Sequence, residues 1–116
     1  MRETLSPNQI APEAIKSMET YHTQVVNEVK DAISKNKIVV VGMKQNPVVG
    51  KARKLLQSKN MEFKYLEYGS YFSMWKPRLA IKLWSGWPTY PQVYIQGQLI
   101  GGFRELNKMA EDGKLK

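Results

Sequence analysis

Residues 87–102 read Trp87-Pro88-Thr89-Tyr90-Pro91-Gln92-Val93-Tyr94-Ile95-Gln96-Gly97-Gln98-Leu99-Ile100-Gly101-Gly102. Two prolines stand close together, followed by an alternating apolar run, a glycine turn and a second short apolar run that ends in Gly-Gly. Pro91 has no N–H to give a ladder, so it suits the entrance of a strand. Val93, Ile95 and Leu99 flank Gln96-Gly97-Gln98, a pattern that predicts a tight β-hairpin. Gly101 and Gly102 tolerate backbone angles and close approaches that a side chain would block.

Working outward, the chain of 116 residues suffices for one domain with a single core. Hydrophobic residues make up 42% and charged residues 24%, ordinary values for a globular protein. No apolar run approaches the roughly 20 residues that span a bilayer, so no membrane partner is expected. Met1 to Ile10 carries one basic residue and no apolar core, which predicts no secretory leader and a cytoplasmic location. The net charge of +8 favours anionic partners without naming one.

The chain has no cysteine and a single histidine, His22. It therefore supplies no disulfide, no thiolate nucleophile, no sulfur ligands for a metal or iron–sulfur cluster, and no histidine-rich metal site. His22 is expected to be a surface or helix-packing residue.

Upstream, residues 1–22 read as an extension, partly helical from Pro12, which suits a first helical turn with Glu13 beside it. Val25, Val26, Val29 and Ile33 recur at helical spacing and predict a helix covering at least Thr23 to Ser34. Ile38-Val39-Val40-Val41 is an unbroken β-branched run, as in a strand buried on both faces. Gly42 to Val49 is expected to be a loop. A helix over Lys51 to Lys59 turns Ala52, Leu55 and Leu56 inward. Phe63 to Leu66 alternates as a second strand, and Glu67 to Ser73 is a linker. Pro77 opens a helix through Leu83 or Trp84 whose apolar residues are Leu79, Ala80 and Leu83. Glu105 to Glu111 forms a last helix, stopped by Gly113. Trp75, Trp84 and Trp87 are expected to pack in the core or at its rim.

A β-α-β unit followed by a hairpin and a helix resembles a thioredoxin-like domain. The string Trp87-Pro88-Thr89-Tyr90-Pro91-Gln92, the strand-turn-strand and Gly101-Gly102 resemble the second half of a glutaredoxin, nearest to its monothiol branch. The resemblance covers about residues 24–116. It implies an α/β fold with a four-stranded mixed sheet flanked by helices, and a boundary between an extension at 1–22 and the domain at 23–116.

The resemblance also implies where the chemistry should stand. A glutaredoxin carries Lys-x-x-Cys-Pro-x-Cys, or Cys-Gly-Phe-Ser, between its first strand and the next helix. Ungapped counting puts Asn46-Pro47-Val48-Val49 in that window, so Asn46 and Val49 fill the two cysteine positions. A register shifted to set Gly50 under the monothiol glycine puts Val49 at the nucleophile. Neither register supplies a thiol. Lys44 stands two residues before Asn46, one short of the dithiol spacing. Asn46 is a favoured N-cap and Pro47 then takes the first helical position. Thiol–disulfide exchange needs an attacking thiolate, so the chain by itself is not expected to be an oxidoreductase.

What the resemblance leaves open is the glutathione groove. It implies Lys44 and Lys82 as cations for the ligand's carboxylate, and Tyr90 before a cis Pro91 as a strand-like backbone partner. It places backbone donors around Gly101, Gly102 and Phe103 against the γ-glutamyl carboxylate. The family's acidic residue after Gly-Gly-x is Arg104 here, which removes the partner of the ligand's α-amino group and weakens glutathione binding. Glu105 next door is expected to point elsewhere. Three functions follow: a binding or interaction module using the groove for glutathione, a peptide or a protein; a basic nucleic-acid binder; or a docking partner of true thiol enzymes. Lys51, Arg53, Lys54, Lys59 and Lys64, with Lys76, Arg78 and Lys82, carry no accompanying nucleic-acid motif, so nucleic acid is the lesser expectation. No cofactor is required and no iron–sulfur cluster is expected.

Overall fold

The structure, a computed structural model, describes residues 11–14, 23–70 and 74–115. The expected extension over 1–22, His22 included, lies outside these residues apart from 11–14, where 12–14 are helical; the side chain of Trp75 is also outside them. The order is α1 (Thr23–Lys35), β1 (Ile38–Gly42), α2 (Pro47–Ser58), β2 (Lys64–Glu67), α3 (Trp75–Ser85), β3 (Gln92–Ile95), β4 (Gln98–Gly101) and α4 (Phe103–Glu111).

The four strands form one mixed sheet in the order β2-β1-β3-β4. β1 runs parallel to β2 and antiparallel to β3, and β3 pairs antiparallel with β4. β1 is the centre of the molecule, and every one of its residues is buried. Its period of two splits the core. Val39 and Val41 join Val29, Ala32, Ile81 and Tyr94 on the face covered by α1 and α3. Ile38 and Val40 join Ala52, Leu56, Val93 and Leu106 on the face covered by α2 and α4. The β-branched run works as a doubly buried strand because helices cover both sides.

The element bounds shift where caps act. α2 begins at Pro47 and not Lys51, because the Asn46 side chain satisfies its first amides and Pro47 needs no partner there. The expected loop to Val49 shrinks to residues 43–46. α3 begins at Trp75, two residues before Pro77, whose missing N–H is harmless within the first turn. Of its apolar trio only Ala80 is buried; Leu79 and Leu83 face outward. Gly86, at φ 80°, ends α3 with its N–H on the Lys82 carbonyl at 2.9 Å. Gln96 (φ 51°) and Gly97 (φ 80°) form the hairpin turn, with Ile95 paired to Gln98, the positive-φ pair that matches strand twist. α4 begins at Phe103, earlier than the expected Glu105, because Gly102 is its N-cap.

Candidate functional site

Two corners meet at one end of the sheet, since Val41 pairs with Gln92 and Val93 with Gly101. The first is the turn from β1 into α2. Asn46 Oδ1 accepts the Val48 N–H at 2.9 Å and the Val49 N–H at 3.2 Å, and the Asn46 carbonyl accepts the Gly50 N–H at 3.2 Å. These bonds absorb the donors that a helix start would otherwise offer to an anion. Val49, which the resemblance offers for the other cysteine position, is buried at 2% exposure and sits against Gly42. A Cβ on Gly42 would lie 2.6 Å from Val49 Cγ1, so the corner is packed shut around these two residues.

Beside this corner a cleft of about 420 Å³ is lined by residues that include Lys44, Asn46, Gly50, Arg53, Tyr65 and Glu67. The Arg53 guanidinium lies 4.0 Å from the Tyr65 ring centroid, and the Tyr65 hydroxyl donates to Glu67 Oε1 at 3.0 Å. Burial, reinforced by Glu67, pushes the Tyr65 phenol up to about 12. Lys44 is exposed, its N–H bound to the Gly69 carbonyl at 2.7 Å.

The second corner joins Trp87–Pro91 to the start of α4. The Tyr90–Pro91 peptide is cis. Tyr90 and Pro91 are buried, the Tyr90 hydroxyl donates to the Arg78 carbonyl, and Lys82 Nζ lies 5.5 Å from the centre of the Tyr90 ring. Burial pushes the Tyr90 phenol strongly upward. Gly102 abuts this segment: a Cβ there would lie 3.2 Å from the Pro91 carbonyl and 3.7 Å from Trp87 Nε1. Gly101 has φ +123°, a conformation costly for any residue with a side chain.

Glu105 corrects an expectation. It does not point away: its Oε1 accepts the Gly102 N–H at 2.8 Å, as a carboxylate at the third helical position does when it reaches back to the cap. One of the anticipated ligand donors is therefore engaged within the chain. Phe103 packs its side chain against the second core cluster and presents its backbone amide at the helix start, the group expected of it. Arg104 is exposed.

Residues that sequence reasoning passed over hold this corner in place. Gln92 is fully buried; its Nε2 donates to the Trp87 carbonyl at 3.1 Å and its Oε1 accepts from the Tyr94 hydroxyl at 2.9 Å. Arg78, one of the cations weighed for nucleic-acid binding, is buried at 8% exposure and donates to the Tyr68 carbonyl at 2.9 Å. Tyr68 in turn donates to Glu28 Oε1 at 2.9 Å. Gln92 carried a readable signal, a polar residue opening a buried strand after proline; Arg78 carried none.

The comparisons agree with this architecture. The family model described as Glutaredoxin matches residues 38–100. The chain belongs to the glutaredoxin family. It is 54% identical over 95 residues to a "Glutaredoxin-like protein" of Dictyostelium discoideum, covering 82% of this chain and 77% of that protein. It is 32% identical over 93 residues to "Probable monothiol glutaredoxin 2" of Rickettsia typhi, covering 76% and 81%. The crystal structure of a buckwheat glutaredoxin–glutathione complex superposes with a TM-score of 0.72 at 22% identity, over 84% of this chain and 88% of that one, a likeness of fold. Within that family the present chain has no cysteine. Among the described residues no group of three His, Cys, Asp or Glu is placed to hold a metal, and no helix is long and apolar enough to cross a membrane.

Proposed function

We propose that this glutaredoxin-family chain is a binding module, without thiol–disulfide exchange of its own, that uses the corner between Tyr90 and Gly102 for a glutathione-like or extended peptide ligand. The observation that carries the loss of chemistry is the absence of any cysteine: Asn46 and Val49, the two residues the resemblance offers for the nucleophile, are a helix cap with both its amide contacts made and a buried apolar side chain. A carboxamide is not a nucleophile near neutral pH, and no other residue of the chain provides a thiolate. No cofactor is required, and no iron–sulfur cluster is held by these side chains, since such clusters take cysteine sulfur.

The second corner supports retained binding. Among the described residues no backbone hydrogen bond engages the Tyr90 N–H or C=O, which leaves both for a strand-like partner. Phe103 and Arg104 contribute first-turn amides beyond the one Glu105 takes. Lys82 beside Tyr90 supplies a cation for a terminal carboxylate. Arg104 and the Glu105 carboxylate lower the affinity for a ligand bearing an α-ammonium and α-carboxylate pair. Nucleic acid is the weaker reading: Arg78 is buried on a carbonyl and Arg53 is stacked on Tyr65, which removes two cations from any phosphate-tracking surface.

Titration of reduced glutathione into isotope-labelled protein tests the proposal. Saturable amide shifts at Lys82, Tyr90 and Gly101 to Arg104 support it, and a flat response to millimolar ligand removes it. A glutathione mixed-disulfide reductase assay should stay at background.

A further inference from the structure

Five large apolar side chains are exposed among the described residues, and four of them, Met74, Leu79, Leu83 and Trp84, belong to α3 or its N-cap. Scattered apolar residues on a surface need no explanation, but a group on one helix does. α3 buries Arg78, Ala80 and Ile81, and helical periodicity places Leu79 and Leu83 one turn apart on the side away from Ile81. On that side Leu83 is 61% exposed and Leu79 37%, apolar surface that the helix's own core does not use. Trp84, about 100° round the helix from Leu83, lies off this stripe and lines a cavity of about 290 Å³ with Ile33, Ser85, Tyr94, Gly97 and Leu99.

The charge around this stripe selects its occupant. α3 contains no acidic residue, Arg78 is buried, and helical geometry sets Lys76 and Lys82 on either flank of Leu79 and Leu83. The whole chain carries +8. A second copy would bring the same cations to the contact, whereas an apolar ridge edged with carboxylates matches both features.

We infer that the outer face of α3 docks an amphipathic helix of a partner protein, with apolar residues at i, i+3 or i+4, and i+7, flanked by Asp and Glu. This rests on the reading of the chain as a binding module and adds a second surface to it, with Lys82, beside Tyr90, at the edge the two share. Leu79 and Leu83 are the anchors. Lys76 and Lys82 set the preference for acid.

The test is selection of displayed helical peptides of about five turns on the immobilised full chain, followed by affinity measurement of the recovered peptides. The expected result is enrichment of acidic amphipathic sequences whose binding weakens with salt and shifts amides over 74–85. Leu79→Glu or Leu83→Glu lowers their affinity at least about tenfold, Leu83→Met does not, and melting temperature and glutathione titration stay as in the parent. Failure to enrich any sequence, or enrichment of basic or non-helical ones, overturns the inference. Peptides that bind Leu83→Glu undiminished and shift Tyr90 and Gly102 also overturn it while leaving the binding-module reading intact. A dimer in sedimentation that Leu83→Glu dissolves overturns it in favour of a second copy.

Discussion

The corner between β1 and α2 and the corner between Pro91 and Gly102 lie at the same end of the sheet but are built from different material. The first is made by side chains: Asn46 caps the helix and Val49 wedges against Gly42. The second presents backbone and glycine at its surface, with Gly102 against the Pro91 carbonyl and Gly101 in a positive-φ conformation, while the Gln92 and Glu105 side chains brace it from behind. A function held in one side chain is lost with one substitution. A function held in backbone amides and carbonyls lasts as long as the fold that positions them. The chain has no cysteine to serve as the family's nucleophile, and the proposed binding function rests on the second kind of corner.

The largest test of that contrast restores the missing group. Asn46→Cys places a thiol at a helix N-terminus, where the thiolate is favoured. Turnover of a glutathione mixed disulfide is expected from the variant and none from the parent, although loss of the cap costs about 1 kcal/mol in urea unfolding. A folded but inert variant would show that the second corner no longer receives glutathione either.

Crowding each corner comes next. Gly42→Ala collides with Val49 and should cost about 1–3 kcal/mol, a penalty that a Val49→Ala background relieves. Gly101→Ala should cost a similar ~1–3 kcal/mol through its φ of +123°, with no relief from Val49→Ala. Equal relief at both sites would mean that the corners are one packing unit. A smaller effect is expected from Arg104→Asp, which should tighten glutathione by about tenfold, or ~1.4 kcal/mol, by calorimetry.

The gentlest probe is pH. Burial pushes Tyr65 beside the first corner and Tyr94 beneath the second up to about 12, and Tyr68 and Tyr90 move in the same direction. Unfolded tyrosines lose their protons near pH 10, before the folded ones. The folded state therefore holds more protons from about pH 10 to 12, so this contribution is complete below pH 10 and falls as pH rises. Urea midpoints from pH 8 to 11.5 should show the decline, and Tyr65→Phe and Tyr94→Phe should each flatten part of it.

Much of the fold was legible. The Ile38–Val41 run, the hairpin signal at Gln96-Gly97 and the Asn46-Pro47 cap are local patterns whose cause lies within a few residues. The site was less so. Lys82 and Tyr90 were named separately and the fold sets Lys82 Nζ 5.5 Å from the Tyr90 ring, but Glu105 was expected elsewhere, and Gln92, Arg78 and Tyr68 were not anticipated as supports.

Element type and order, the want of any thiol and the glycine requirement at residues 101 and 102 follow from the chain read alone, because propensity, capping and composition are local properties. Tertiary packing settled the rest. It aimed Glu105 at the Gly102 amide, sank Arg78 onto a carbonyl ten residues away in sequence, and turned Leu79 and Leu83 to solvent. A helix carries its periodicity in sequence, but which stripe meets the core depends on what it packs against.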